Sequence, residues 1–380
     1  METKSNHFVP KAVFIDTEPS STSSIQKSYP DLYFPEQFIS SNEDSSNIYI
    51  QGYIKGISLQ SIFQDRIRKL TEACDKLKGF MIFHSLNGGT GSGLGGLLLE
   101  SLSTDYSKSF IFTNTIFPSP KISSNNIEAY NAVFGIHELI EYSSVSLIYD
   151  NEALYNICSE KLYIEMPEYM NINRLIAQNI SSLTGPIRFN SEYSMDFIYA
   201  QNHLMPYPRL HFHVSAYAPF VQSEKSYQNE FSVADITNCA CESSSLLACC
   251  DLQQGKYFFL FAMYRGDLVF DDIKIAASII RDKPTIQFYD WCQNGLKFNI
   301  NHEPLFVVPG GDLAKISRSI CMVNNSSAIR EVFYRVRQKC RLMYSKKAFV
   351  HWFYSEGLND DSFNEVFEDI DALQMDYLEV

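Results

Sequence analysis

The chain has 380 residues, of which 45% are hydrophobic and 20% are charged, a composition that excludes an intrinsically disordered protein. Its 44 acidic residues against 31 Lys and Arg leave a net charge of −13, so neither nucleic acid nor an anionic membrane surface is an expected partner. The sequence contains no apolar run of about 18 residues, and its length accommodates two or three domains.

Short apolar segments alternate with helical patterns in the first third of the chain. Strands are predicted at residues 11–16, 79–84, 109–113 and 145–150, and helices at residues 58–77, 94–102, 130–140 and 151–158. Apolar strands separated by helices are typical of a parallel α/β sheet, in which ligands bind at the carboxyl ends of the strands. We therefore predict a first domain over residues 1–151.

The remainder of the chain predicts two further domains. Residues 210–215 alternate in polarity, and residues 257–264 form a continuous apolar run that predicts a strand buried on both faces. These strands fall in a second domain, residues 152–329. Beyond Arg330, helical patterns flank residues 350–354, and Asp360 is a typical start for the last helix. Residues 330–380 are therefore predicted to form a helical hairpin.

The glycine-rich segment from Ser85 to Gly93 carries the clearest functional signal. It follows a predicted strand and opens a helix, where backbone N–H groups form a cradle for an anion such as phosphate. A P-loop is excluded because the segment has no lysine. Gly91–Gly96 matches the dinucleotide pattern G-x-G-x-x-G, but its glycines continue into the helix. On local pattern alone, a connector without a ligand remains an alternative.

Gly88–Gly93 resembles the phosphate-loop signature of the tubulin family, with Asn87 where the family has a further glycine. Similar segments continue in family order at Phe117–Pro120, Tyr130–Asn131, Asp150–Ala153, Asn173–Ile176, Pro206–Phe212, Val308–Lys315 and Arg341–Trp352. The resemblance extends from about Glu2 to Val380. Three segments, Tyr264–Asp267, Thr285–Cys292 and the longer loop at Val308–Lys315, are similar to α-tubulin and not to β-tubulin.

The resemblance implies an α/β protein with the tubulin fold. That fold has a Rossmann-like parallel-sheet nucleotide domain, an α/β intermediate domain with a mixed sheet and a C-terminal helical hairpin. It also implies bound GTP and Mg²⁺, with Asp16 and Glu18 near the γ-phosphate and the metal, an arrangement common for magnesium. The other residues that it places at the phosphates and ribose are Asp44, Asn47, Ser85, Gly88, Gly89, Thr90, Gly91 and Ser124.

On the guanine side, the resemblance implies that Asn151 and Asn173 read the base edge and that Tyr169 stacks on the ring. An asparagine amide offers a donor and an acceptor together, as guanine requires. Each residue also has a local explanation. Alone, Asn151 is typical of a helix cap, Asn173 of a solvated helix position and Tyr169 of the core.

The sequence departs from the family at both ends. The resemblance starts after the family's first strand, first phosphate loop and first helix, and the acidic tail is absent after Val380. Unpaired ladder groups at a missing central strand would cost about 1–3 kcal/mol for each buried group. We therefore expect either an incomplete chain or a less stable fold that binds nucleotide weakly.

A third departure concerns hydrolysis. The segment Ser194–Gln201 resembles the part of α-tubulin that approaches the GTP of the neighbouring β-subunit. It keeps an acid as Asp196 but has Tyr199 where the family has the glutamate that helps to activate water. Because a tyrosine has a pKa of about 10, it is a poor general base at neutral pH. Slow hydrolysis of the partner's GTP is therefore expected.

The resemblance implies a structural subunit that pairs with β-tubulin in the microtubule lattice, within the cytoplasm and cytoskeleton. Nine cysteines, an odd number without a secretory leader, predict reduced thiols in the same compartment. The alternative is a non-polymerising tubulin-like protein that associates with β-tubulin or with its folding machinery. A stand-alone GTPase ranks below both because of Tyr199 and the missing first phosphate loop.

Overall fold

A computed structural model of the chain describes residues 9–41, 43–122, 125–188, 205–223, 231–292, 295–308 and 310–379. The chain divides into two compact units. The first unit comprises Met1–Ile111, Ser124–Ser143 and Val336–Ile370, and the second comprises Phe112–Ser123, Ser144–Arg335 and Asp371–Val380. The domain boundaries near residues 151 and 329 stay a prediction.

The strands and helices of the described residues alternate along the chain as far as residue 160. The strands are β1 (Phe14–Asp16), β2 (Phe38–Ser40), β3 (Gly79–Ser85), β4 (Phe110–Phe117), β5 (Val145–Asp150), β6 (Phe212–Ala218), β7 (Tyr257–Gly266), β8 (Leu296–Asn301) and β9 (Arg318–Ser326). The helices are α1 (Pro19–Ser28), α2 (Tyr49–Glu72), α3 (Gly95–Asp105), α4 (Glu128–Tyr142), α5 (Asn151–Glu160), α6 (Tyr169–Arg188), α7 (Val233–Ala240), α8 (Phe270–Asp282), α9 (Arg330–Ser345), α10 (Val350–Ser355) and α11 (Asp360–Glu379).

In the first unit, β1 and β2 are parallel and pair from Phe14 with Phe38 to Asp16 with Ser40. The rings of Phe14 and Phe38 stack at 5.0 Å between centroids. At its carboxyl end, β1 leads into the turn before α1, and β2 leads into the segment before α2. β3 leads into the glycine-rich loop, so three strand ends supply the segments in which phosphate-binding residues are predicted.

In the second unit, the strands lie in the order β4-β5-β6-β9-β7-β8. The β4-β5, β5-β6 and β7-β8 pairs are parallel, whereas β9 is antiparallel to both β6 and β7, so the predicted mixed sheet is confirmed. Every residue of β7 is buried, as its continuous apolar run predicts. The ring of Phe333 packs against Phe212 at 4.8 Å and Phe117 at 6.1 Å in the core of this unit.

The C-terminal region is helical, as predicted. The last helix begins at Asp360, and Gly357 precedes it with a φ of 104°, a backbone angle that favours glycine. Within the first unit, the ring of Tyr344 on α9 contacts Phe363 on α11 at 4.9 Å. No helix in the described parts of the chain combines the length and the apolarity needed to cross a membrane.

One helix differs from its prediction. The sequence predicts a helix over residues 58–77, but α2 runs from Tyr49 to Glu72. Its first turns contain Gly52 and Gly56, and glycine has a low helix propensity. A Cβ at Gly52 would lie 1.9 Å from the carbonyl oxygen of Gly89, so the missing side chain allows the helix to pack on the glycine-rich loop. Tertiary packing therefore extends α2 beyond its local pattern.

Candidate functional site

Three hydroxyl groups from separate loops of the first unit meet at Thr90. The Thr90 Oγ1 atom lies 2.7 Å from Thr17 Oγ1 and 3.1 Å from Ser45 Oγ. Thr17 follows β1, Ser45 lies between β2 and α2, and Thr90 follows β3. The structure thus gathers, at one end of these strands, the loops that carry the predicted phosphate-side residues Asp16, Glu18, Asp44, Asn47, Ser85, Gly88, Gly89, Thr90 and Gly91.

The glycine-rich loop is already helical at Gly89, which has φ −67° and ψ −36°. A single π-helical turn, Thr90–Leu94, continues directly into α3. The Ser92 backbone N–H and hydroxyl both donate to the Gly88 carbonyl oxygen, at 3.2 and 2.7 Å. The prediction that the glycines continue into the helix is confirmed. The amino-terminal end of such a helix has partial positive charge and exposes N–H groups that suit a phosphate.

Close backbone packing explains two of these glycines. A Cβ at Gly91 would lie 2.0 Å from the Ser85 carbonyl oxygen, and one at Gly89 would lie 2.4 Å from the Ile48 carbonyl oxygen. Neither position accepts a side chain without backbone movement. At Gly88, by contrast, the nearest atom is Asn47 Oδ1 at 3.4 Å, an ordinary contact. The loop is therefore built around Gly89 and Gly91, and Gly88 is the position with room.

The two carboxylates predicted to bind the metal belong to the residues on either side of Thr17. The Glu18 backbone N–H donates to Asp16 Oδ1 at 3.2 Å, and the intervening Thr17 contacts Thr90. Glu18, Asp44 and Asn47 are exposed and Asp16 is half-buried. Carboxylate oxygens next to a phosphate cradle fit Mg²⁺, which takes one or two carboxylates together with phosphates and water. In the described ranges, no group of three or more His, Cys, Asp or Glu residues could hold a metal alone.

The predicted guanine-side residues lie in the second unit. Asp150 is the cap of α5, since its side chain accepts from the Glu152 N–H at 2.9 Å, so Asn151 is not the cap. The Asn151 Oδ1 atom is buried without a hydrogen-bond partner. An orphaned buried acceptor is costly, and the N–H groups of a guanine edge are suitable donors for it.

Tyr169 opens α6 with 65% of its surface exposed, so it is not a core residue. Asn173 lies four residues later on the same helix and is also exposed, as a solvated helix position or a ligand contact would be. An exposed aromatic ring with an amide one turn away suits a planar base. The predicted residues Ser124, Asp196 and Tyr199 lie outside the described residues.

The sequence interpretation did not identify four residues of the first unit that shape the site. They are Thr17, Ser45, His84 and Asn131. Thr17 stands between the predicted Asp16 and Glu18, and Asn131 belongs to a segment used for the family resemblance, so both had a signal nearby. Ser45 and His84 had none, because their contacts with the glycine-rich loop form only in the folded chain.

His84 connects the end of β3 to the loop and makes stability depend on pH. Its Nδ1 atom donates to the Gly91 carbonyl oxygen at 2.8 Å, and burial lowers the pKa of the imidazole below its ordinary value. The folded state therefore favours neutral His84, while the unfolded chain takes up a proton near pH 6.5. We expect stability to fall as the pH drops below about 6.5, because the unfolded state binds more protons there.

Thermal unfolding of the wild type and His84→Gln at pH 7.5, 6.5 and 5.5 tests this expectation. The variant should lose less stability than the wild type between the highest and the lowest pH. Identical losses in the two proteins would contradict a role for this imidazole.

Two protein-family models match the chain. The model of the Tubulin/FtsZ family, GTPase domain, matches residues 1–159, which include the glycine-rich loop and Asn151. The model of the tubulin C-terminal domain matches residues 208–338, which include β6 to β9. The two matches follow one another along the chain and together cover most of it.

Proposed function

Because the chain belongs to the tubulin family, we propose that it is an α-tubulin-like subunit that binds GTP with Mg²⁺ and pairs with β-tubulin in microtubules. The family assignment already makes it a cytoskeletal protein with a guanine-nucleotide-binding domain. The proposal adds the α-type identity, the partner, the metal and a location in the cytoplasm.

The observation that carries nucleotide binding is the close-packed glycine-rich loop at the start of a helix. Gly89 and Gly91 have no room for a Cβ, and the loop leads directly into α3. This arrangement supports phosphate binding through backbone N–H groups. Asp16 and Glu18 are the carboxylates that would share Mg²⁺ with the phosphates, and the orphaned Asn151 Oδ1 supports a guanine base.

The α-type identity rests on sequence segments. Tyr264–Asp267, Thr285–Cys292 and Val308–Lys315 are similar to α-tubulin, and the first of them forms the end of β7 and the turn after it. A subunit of this type holds GTP as a structural cofactor at the face that it presents to β-tubulin. A subunit of this type contributes to the hydrolysis of the GTP that a neighbouring subunit binds, and not to hydrolysis of its own.

The first test is nucleotide binding by the purified 380-residue chain, measured by titration calorimetry with GTP and ATP in magnesium and in EDTA. We expect GTP to bind more tightly than ATP, and magnesium to strengthen the binding. Equal affinities for GTP and ATP would contradict the guanine site, and binding unaffected by EDTA would contradict the metal.

The second test is co-pelleting with microtubules assembled in the presence of β-tubulin. The amount of an α-tubulin-like subunit in the pellet should rise in proportion to the amount of β-tubulin in the pellet. A chain that binds free β-tubulin and stays in the supernatant would instead be the non-polymerising protein considered above. Phosphate release by the isolated chain would favour a stand-alone GTPase.

A further inference from the structure

The buried side chain of Asn131, on α4, joins two other segments of the first unit. It has no exposed surface. Its Oδ1 atom accepts from the Tyr49 backbone N–H at 2.9 Å, and its Nδ2 group donates to the carbonyl oxygens of Asn47 at 2.7 Å and Asn87 at 3.1 Å. The amide thus uses its acceptor and both of its donor hydrogens on main-chain groups.

These main-chain groups belong to the two segments that border the candidate phosphate site. Asn47 and Tyr49 lie at the start of α2, and Asn47 has a φ of 57°, an uncommon angle for a residue with a side chain. Asn87 stands at the start of the glycine-rich loop. Elsewhere the two segments meet through close backbone packing, as at Gly89 against Ile48. Asn131 adds directed hydrogen bonds to this packing.

The bond to Asn87 also fixes the direction of a neighbouring N–H group. In a planar trans peptide, the carbonyl oxygen of one residue and the N–H of the next point in opposite directions. The Asn87 carbonyl points inward to Asn131, so the Gly88 N–H points away from α4. A loop that binds an anion through its backbone depends on such orientations, since each N–H must be directed before the ligand arrives.

We propose that Asn131 is a positioning residue for the nucleotide phosphates, acting through the peptide between Asn87 and Gly88 and through the start of α2. The proposal rests on the GTP site proposed above and adds a residue that contacts no part of the ligand itself. Asn131 is expected to influence only the part of the GTP affinity that comes from binding the phosphates. Binding of the base should be independent of it, because Asn151 and Tyr169 belong to the other unit.

The test compares GTP and guanosine binding by the full chain and by Asn131→Ala. Asn131→Ala removes all three hydrogen bonds, and the two that Nδ2 donates to the Asn47 and Asn87 carbonyls, at about 1 kcal/mol each, correspond to roughly 30-fold weaker GTP binding. Guanosine affinity should change less than about twofold, so the ratio of GTP affinity to guanosine affinity falls. A merely structural role would weaken both ligands together and leave that ratio as it is in the wild type.

Asn179→Ala is the matched control. Asn179 is equally buried on α6, donates to Tyr149 Oη at 2.9 Å and Ser215 Oγ at 3.0 Å, and accepts from Cys321 Sγ at 3.0 Å. Its loss should lower the unfolding temperature without changing the ratio of GTP to guanosine affinity. If Asn131→Ala does not fold, Asn131→Leu keeps the approximate size and the neutrality of the side chain while removing all three hydrogen bonds, and the same ratio is measured.

The outcomes separate this inference from the proposed function. A wild-type chain that binds GTP no more tightly than guanosine overturns the phosphate site, and the role of Asn131 with it. A wild type that prefers GTP, together with Asn131 variants that keep the full preference, overturns the positioning role alone.

Discussion

Gly91→Ala is expected to abolish tight GTP binding and to destabilise the first unit. The new Cβ would lie 2.0 Å from the Ser85 carbonyl oxygen and 3.0 Å from the Ser85 backbone nitrogen, closer than side chains approach a backbone. Both contacts are with the end of β3, so relief requires the strand end or the loop to move. Overpacking of this kind costs about 1–3 kcal/mol, and displaced N–H groups no longer match the phosphates.

We expect GTP affinity to fall at least about 100-fold, equivalent to about 2.7 kcal/mol of binding free energy. Titration calorimetry and thermal unfolding measure the two effects. Gly88→Ala is the control for stability, because its Cβ would meet only Asn47 Oδ1 at 3.4 Å, and its unfolding temperature should stay near that of the wild type. Wild-type affinity and stability in Gly91→Ala would show that the loop does not pack as described.

The second large effect concerns the GTP of the proposed partner. Tyr199 lies outside the described residues, and its role rests on the resemblance of Ser194–Gln201 to α-tubulin. A tyrosine that is protonated at neutral pH does not take a proton from water, whereas a positioned carboxylate does. We therefore propose that Tyr199→Glu raises the rate of GTP hydrolysis in polymers made with β-tubulin by about 10²- to 10⁴-fold.

The measurement is phosphate release per subunit from copolymers of matched length. Tyr199→Gln is the matched control, since glutamine has the size of glutamate but no basic carboxylate, and its polymers should hydrolyse GTP as slowly as those of the wild type. Equal rates for the glutamate and glutamine variants would contradict the proposal. An increase in both would indicate that removal of the tyrosine ring, and not the base, is responsible.

Where one stretch of sequence determines its own conformation, the sequence predicted it well. The buried strand β5 has the predicted bounds of residues 145–150, and β7 contains the predicted run from residue 257 to 264. The last helix begins at Asp360 as predicted. In each case a local apolar run or a local capping pattern contains the whole signal.

The start of α2 shows where local reasoning is insufficient. Gly52 and Gly56 weaken the helical pattern, yet they lie inside the helix because the glycine-rich loop packs against that face. The favourable contact joins residues nearly forty positions apart in the chain, so the residue pattern within α2 does not predict it. The same limit applies to Asn131, whose three partners lie on two distant segments.

By itself, the sequence predicted the fold class, the family and the course of the glycine-rich loop into a helix, since these depend on local patterns and on motifs in a fixed order. The tertiary structure alone decided that Thr17, Ser45 and Thr90 meet, and that Asn151 is left with a buried, unpaired oxygen. Such contacts depend on how separate segments pack, and hydrogen-bond partners far apart in the chain leave no regular spacing in the sequence.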